Sequence, residues 1–111
     1  MSEKDKGNLL SIIDACEKIK RFTSNLKNAD DFYEDEKTFD AVLMNFVIIG
    51  ESISRLSEEL KAEKNEIPWT KIKGLRNIVA HDYFGVDAEE IWEIINNNII
   101  PLKSEIQSII E

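Results

Sequence analysis

Residues 38–49 have the sequence TFDAVLMNFVII and contain the longest apolar run of this chain. Apolar side chains at nearly every position predict a helix that is covered on most sides, either by its own domain or by a partner chain. Thr38 can cap the start of this helix, which we expect to run to about Glu63. The stretch therefore predicts a buried helix at the centre of an all-helical protein.

The rest of the chain predicts three further helices. Apolar residues at three- and four-residue steps mark an amphipathic helix over about residues 8–27. Pro68 suits the first turn of a third helix, in which Gly74 costs about 1 kcal/mol relative to Ala and indicates close packing. Asp87 can begin a fourth helix, which Pro101 should kink or interrupt because proline lacks the N–H of a helix interior. Four helices with short links predict an antiparallel four-helix bundle.

The chain of 111 residues predicts a single domain, with a polar and flexible segment at residues 1–7. Residues 28–37 are polar and strongly acidic, and we expect a surface loop that Phe32 and Tyr33 pin to the body. No apolar run approaches the roughly 20 residues that span a bilayer. Without an apolar leader, and with Cys16 as the only cysteine, the chain favours a reducing cytoplasm.

Charge is unevenly distributed along the chain. The net charge of −8 opposes binding to nucleic acid, which is itself a polyanion. Residues 55–81, however, carry six basic and four acidic side chains, so this segment has a net charge of +2 and the remainder −10. The basic excess can mark an RNA-binding surface or simply a solvated helix face, and the acidic remainder suits a basic protein partner.

Residues 76–83, RNIVAHDY, place Arg76, the only histidine His81, and Tyr83 close together. A guanidinium binds phosphate through a planar fork of donors, an imidazole exchanges protons near neutral pH, and a phenol can hydrogen-bond or be modified. In an unbroken helix positions 76 and 81 differ by about 140° in direction. Cooperation within one chain would therefore require the helix to end near Ala80. The alternative is cooperation across a two-fold axis, which would supply two histidines for acid–base cleavage of a phosphodiester.

Several structural alternatives remain open at this point. Lone histidines near helix ends are often structural, and Arg76 could pair with Asp82 or with Glu51. Glu51 could line the cleft and steer His81, or it could be a solvated residue at the edge of its helix.

Other chemistry-bearing residues are few. Lys71 and Lys73 could reach phosphates. Cys16 lies on an apolar stripe without a histidine nearby in sequence, which argues against a nucleophile. One histidine, one cysteine and carboxylates without ordered spacing predict neither a metal site nor a cofactor.

The segments IPW (67–69) and GLRNIVAHDYFGVD (74–87) resemble the HEPN toxins of the HepT-like group. Those proteins are the toxin halves of nucleotidyltransferase–HEPN toxin–antitoxin pairs. The resemblance extends over most of the chain from about Asn8. Three further segments resemble the same group: DEKT (35–38), IIGE (48–51) and IWEII (91–95).

The resemblance implies a helical bundle that forms a homodimer around paired motifs and acts as a metal-independent endoribonuclease on single-stranded RNA. It implies that Arg76 and His81 carry the cleavage, with Asn77 beside the arginine. Tyr83 matches the tyrosine that a cognate minimal nucleotidyltransferase, the antitoxin, can modify with AMP. The expected partners are therefore a second copy, this antitoxin and RNA, and no membrane. The alternative is a non-catalytic HEPN module that binds a nucleotide or a protein segment and partners the nucleotidyltransferase.

Overall fold

The computed structural model describes the backbone of residues 1–111 and the side chains of all of them except residues 80–82. The chain forms α-helices joined by short links and one 3-10 turn, which confirms the all-helical fold. The helices are α1 (Glu3–Thr23), α2 (Ala29–Glu34), α3 (Glu36–Ser54), α4 (Glu58–Glu63), α5 (Trp69–Lys73), α6 (Leu75–Asp82), α7 (Ala88–Asn97) and α8 (Ile99–Ile110), with the 3-10 turn at Tyr83–Gly85.

The three longest helices, α1, α3 and α8, surround the core. Each fully buried aliphatic or aromatic side chain contributes about 1.5–3 kcal/mol relative to an exposed one. In the described part of the chain, no helix is long and apolar enough to span a bilayer. The fully buried side chains of these helices include Leu9, Ile12 and Ile19 of α1, Phe46 and Ile49 of α3, and Ile106 of α8.

The apolar half of α3 is covered almost entirely by its own chain. Phe39, Val42 and Phe46 are buried, whereas Val47 is half-buried. Met44 is the exception, with 59% of its surface exposed. The sequence allows this helix to be covered by its own domain or by a partner chain. The domain itself covers most of it, and a narrow strip around Met44 remains exposed.

The helix expected over residues 38–63 is two helices, α3 and α4. Asp35 caps α3 instead of Thr38, since its carboxylate accepts the backbone N–H of Thr38 at 3.2 Å. The chain turns at residues 55–57, and Ser57 then caps α4 by accepting the N–H of Leu60 at 3.2 Å. The buried side chain of Leu56 continues the apolar stripe through this turn. The sequence pattern therefore does not reveal that the helix ends there.

The start of α1 differs from expectation because Asp5 is bonded to the start of α4. The helix begins at Glu3, and residues 3–7 form its first turns. Asp5 is only 4% exposed and accepts both the backbone N–H of Ser57 at 2.8 Å and its hydroxyl at 2.6 Å. These hydrogen bonds hold the pKa of Asp5 below its ordinary value, because they stabilise the carboxylate.

The surface loop expected at residues 28–37 is wrong, because this segment contains α2. Asn28 caps the helix by accepting the N–H of Asp31 at 2.8 Å. Phe32 is fully buried, with its ring centroid 4.9 Å from that of Phe39 and 5.9 Å from that of Trp92. The expected anchoring by Phe32 is confirmed, and Tyr33, although 64% exposed, meets the ring of Phe39 edge-on with centroids 5.8 Å apart. An N-cap and one buried ring thus suffice to make a short helix from acidic residues.

The third predicted helix is divided at Gly74 into α5 and α6. A Cβ atom on Gly74 would meet the carbonyl oxygen of Lys71 at 3.1 Å, within its own helix. Gly74 therefore marks a junction between helices, and the close packing expected at this residue is found against the carbonyl oxygen of Lys71. The α6 backbone continues to Asp82, so the helix does not end near Ala80.

The last predicted helix is interrupted as expected. Asp87 caps α7 by accepting the N–H of Glu89 at 2.9 Å. The break falls at Asn98, and Pro101 lies in the first turn of α8. In that turn the N–H groups have no partner within the helix, so the missing N–H of proline is tolerated there.

Candidate active site on the α3–α6 face

Arg76 and Glu51 form a direct contact between α6 and α3. Nε of Arg76 donates to Oε1 of Glu51 at 2.6 Å, and the two side chains are 44% and 34% exposed. Of the two partners that the sequence allows for the arginine, Glu51 is observed, and the side chain of Asp82 lies outside the described residues. An ion pair this accessible to water contributes at most about 1 kcal/mol to stability. Its main effect is therefore to orient the guanidinium.

Gly50 allows α6 to approach α3 closely enough for this contact. A Cβ atom on Gly50 would lie 2.6 Å from Cβ of Arg76 and 3.0 Å from the carbonyl oxygen of Lys73. Real side chains do not approach so closely, so only glycine leaves room for the start of α6. Sequence reasoning missed this role, although a glycine directly before a glutamate in an apolar helix is a signal of close approach.

Tyr83 and Asp40 form a second contact with α3. Oη of Tyr83 donates to Oδ1 of Asp40 at 2.5 Å. This hydrogen bond raises the pKa of Tyr83, and burial and the negative charges of Asp40 and Glu36 act in the same direction. The phenol is therefore protonated at neutral pH. Sequence reasoning missed Asp40, whose signal is a carboxylate in an otherwise apolar stretch.

Asp40 and Glu51 lie on the same face of α3. They are separated by about three helical turns, so their directions around the axis differ by only about 20°. Glu51, near the C-terminal end of α3, pairs with Arg76 at the start of α6. Asp40, near the N-terminal end of α3, pairs with Tyr83 just after α6. The two helices therefore run antiparallel. The exposed side chain of Met44 belongs to the strip between the two carboxylates.

Phe84 follows Tyr83 in the 3-10 turn and is fully exposed. Its ring meets that of Tyr83 edge-on, with centroids 5.2 Å apart and planes at 84°. A phenylalanine in water forgoes about 1.5–3 kcal/mol of burial, which a contact with another molecule would recover. Phe84 is not among the functional residues predicted from the sequence.

The other predicted site residues lie outside the contacts of Arg76 and Tyr83 with α3. Asn77 and Lys73 are exposed, Asn77 next to Arg76 on α6 and Lys73 at the end of α5. Lys71 lines a cleft of about 360 Å³ with Glu90 and Glu93, on the side that faces α7 and α8. The side chain of His81 lies outside the described residues.

Cys16 is buried in α1, and its burial raises the pKa of the thiol to about 12. The thiol is therefore protonated at neutral pH and is a poor nucleophile. Within the side chains that the structure describes, no three histidine, cysteine, aspartate or glutamate residues come together in a way that could hold a metal ion.

The geometry suits the binding of a phosphate group. Nε of Arg76 contacts Glu51, and the arginine side chain is 44% exposed, so the guanidinium can present Nη groups to a ligand. A planar pair of N–H donors matches two oxygens of a phosphate.

A sequence model of the HepT-like ribonuclease family, described as "Ribonuclease HepT-like", matches residues 12–109. The chain belongs to this family. The resemblance found in the motif is thereby confirmed, and the match spans both carboxylates of α3 as well as Arg76 and Tyr83. Curated proteins named as putative or probable ribonucleases are similar to this chain over most of its length.

Two of these relatives illustrate the similarity. A protein of Thermococcus cleftensis named "Probable ribonuclease HepT" is 33% identical over 109 residues, which cover 98% of each chain. A protein of Methanocaldococcus jannaschii named "Gamma-glutamylcyclotransferase and putative RNase" is 38% identical over 100 residues. That match covers 90% of this chain but only 45% of the relative, so the chain spans less than half of that protein. No solved structure matches the chain.

Proposed function

We propose that this HepT-like protein is a metal-independent endoribonuclease that cleaves single-stranded RNA, and that it is the toxin of a toxin–antitoxin pair. The observation that carries the proposal is the contact between Arg76 and Glu51. It orients a partly exposed guanidinium within a motif that also contains the only histidine of the chain. The family match and the ribonuclease names of the relatives support the same chemistry.

Arg76 is the phosphate-binding residue in this proposal. Glu51 holds Nε, and the Nη groups bind two non-bridging oxygens of the scissile phosphate. The same donors stabilise the additional negative charge of the pentacoordinate transition state. Removing one such donor typically costs about 3 kcal/mol, or roughly a hundredfold to a thousandfold in rate.

His81 is the proton-transfer residue. It removes the proton of a ribose 2′-OH, whose oxygen attacks the adjacent phosphorus while the bond to the 5′-oxygen of the next nucleotide breaks. A second imidazole gives that 5′-oxygen a proton, so the products are a 2′,3′-cyclic phosphate and a free 5′-OH. The chain contains one histidine, and the second imidazole then comes from a second copy.

A homodimer is consistent with the helix geometry and with the exposed apolar side chains. Because α6 is helical from Leu75 to Asp82, positions 76 and 81 lie about 140° apart around its axis. One phosphate is therefore more easily reached by Arg76 of one copy and His81 of the other. Phe84 is fully exposed and Met44 is 59% exposed, and burial of both against the second copy would favour association.

Tyr83 is the proposed acceptor of AMP from a cognate minimal nucleotidyltransferase, which would act as the antitoxin. Tyr83 is 42% exposed and therefore accessible to such an enzyme. AMP attached to Oη would add a negative phosphodiester two residues from His81. The added charge would repel RNA and the added group would occupy the cleft.

The test is cleavage of an end-labelled single-stranded RNA by the purified protein in the presence of EDTA. We expect a 2′,3′-cyclic phosphate product, and a loss of at least a hundredfold in rate for Arg76→Ala and for His81→Ala. Arg21→Ala, which removes an arginine of α1, is the matched control and should cleave like the wild type.

Two outcomes would contradict the proposal, the first for the role of Arg76 and the second for the nuclease activity itself. Undiminished cleavage by Arg76→Ala would show that another group binds the phosphate. A wild-type protein that binds its nucleotidyltransferase but cleaves no RNA would identify the non-catalytic HEPN module instead.

A further inference from the structure

The two contacts with α3 hold the motif on both sides of His81. On the N-terminal side Arg76 is bonded to Glu51, and on the C-terminal side Tyr83 is bonded to Asp40. Both carboxylates belong to one face of one long helix, which is itself packed in the core. A rigid helix thus supplies the frame for the segment that carries the proposed chemistry.

We infer that Asp40 is a positioning residue of the proposed nuclease centre, because it binds Tyr83 and thereby fixes the chain that follows α6. The inference rests on the proposed function for its effect on RNA cleavage. It assigns to Asp40 a role without contact to the RNA, in parallel with the role of Glu51 at the other end of the motif.

The 3-10 turn has little else to hold it in place. None of its three residues is buried, and Phe84 is fully exposed. Hydrophobic burial therefore does not fix this turn against the body. Among the described side chains, the hydrogen bond to Asp40 is the polar contact that joins the turn to α3.

The chemistry of the pair suits an anchor. A hydrogen bond to an ionised carboxylate is roughly twice as strong as one between neutral groups. The phenol remains the donor at neutral pH, because the hydrogen bond to Asp40, and then burial and the charges of Asp40 and Glu36, raise the pKa of Tyr83. The bond therefore persists throughout the pH range in which a histidine could act as a base.

The anchor also connects modification of Tyr83 with the activity of the site. The bond requires the phenolic proton, and transfer of AMP to Oη replaces that proton with a phosphodiester. The new negative charge would lie beside the carboxylates of Asp40 and Glu36, so the contact could not form. Modification would release the turn from α3 in addition to obstructing the cleft.

The first test compares RNA cleavage by Asp40→Ala, Asp40→Asn and Tyr83→Phe. We expect Asp40→Ala and Tyr83→Phe each to lower kcat about tenfold with little change in KM, since neither residue binds the RNA. Asp40→Asn should restore most of the rate, because its amide oxygen still accepts the phenolic hydrogen. The double variant Asp40→Ala/Tyr83→Phe should be no slower than either single variant, since both remove the same bond. Asp14→Ala, which removes an exposed carboxylate of α1, is the matched control.

A second readout does not depend on activity. In a Tyr33→Phe background Tyr83 is the only tyrosine, so its ionisation can be followed by ultraviolet absorbance. We expect Asp40→Ala to lower the pKa of this phenol towards the ordinary value of about 10. Amide hydrogen exchange over residues 75–85 should also become faster in Asp40→Ala, whereas exchange in α1 should not change.

The outcomes separate the two proposals. If the wild type cleaves RNA and Asp40→Ala cleaves as fast, the positioning role is wrong and the nuclease proposal stands. An Asp40→Asn variant as slow as Asp40→Ala would likewise overturn the role of the hydrogen bond. If the wild type cleaves no RNA, the nuclease proposal fails, and unchanged titration and exchange in Asp40→Ala would then refute the anchor as well.

Discussion

Gly50 lies against Arg76 so closely that a methyl group on the glycine would come within 2.6 Å of Cβ of the arginine. The contact joins the interior of α3 to the first turn of α6. It determines how far the guanidinium extends towards Glu51 and solvent. The position of the proposed phosphate-binding group thus depends on the absence of one side chain from a neighbouring helix.

Replacing this glycine should displace α6. We expect Gly50→Ala to lower the free energy of unfolding by about 1–3 kcal/mol, as overpacking does, and to reduce RNA cleavage strongly. Gly7→Ala is the matched control, since a Cβ atom there would meet nothing within 4 Å. Because Gly7 lies within α1, Gly7→Ala should raise the free energy of unfolding by about 0.5–1 kcal/mol. Urea unfolding of both variants measures the difference, and a Gly50→Ala protein as stable and active as the wild type would contradict the close approach.

Asp5 should make stability depend on pH. Its pKa is lowered in the folded protein by the hydrogen bonds from Ser57, so its contribution is present above the unfolded pKa of about 3.9. That contribution is lost as the pH falls through the lower pKa of the folded state. We expect Asp5→Asn to destabilise the protein by about 1–3 kcal/mol at pH 7 and by progressively less below pH 4.

Urea unfolding of the wild type and Asp5→Asn at a series of pH values would measure this effect. Asp14→Asn provides the control, because Asp14 is exposed and forms a surface ion pair with Lys18 at 3.0 Å. A stability difference between Asp5→Asn and the wild type that stayed constant from pH 7 to pH 2 would be inconsistent with the lowered pKa.

Cys16 should resist alkylation while the protein is folded. It is fully buried in α1, and burial raises the pKa of its thiol to about 12, so little thiolate exists at pH 8. We expect iodoacetamide to leave native Cys16 unmodified and to react readily in urea, as measured by mass spectrometry. Rapid modification of the native protein would show that this part of α1 is open to solvent.

Phe84 should be required for association of the proposed homodimer. The side chain is fully exposed in the single chain, so its replacement should change the fold stability by less than about 0.5 kcal/mol. We expect Phe84→Ser to shift the protein towards monomer in sedimentation experiments. Leu10→Ser, at a residue of α1 that is 49% exposed, should leave association unchanged. A Phe84→Ser protein that remains as dimeric as the wild type would place the interface elsewhere.

Local sequence patterns were sufficient for the helical architecture. Apolar periodicity predicted the helices, and the missing N–H of Pro101 predicted the interruption that is found at Asn98. Periodicity failed where a cap and one buried side chain decide the structure, as at Phe32 in α2. It also failed at residues 55–57, where the apolar stripe continues through a turn.

The sequence by itself determined that the protein is helical, that it carries the Arg76–Tyr83 motif, and that it resembles the HepT-like group. Only the tertiary structure decided that Glu51 pairs with Arg76 and that Asp40 pairs with Tyr83. These partners are far apart along the chain, and their pairing depends on how α6 crosses α3. Helical periodicity specifies which face of a helix is buried, but it does not specify which residues of another helix meet that face.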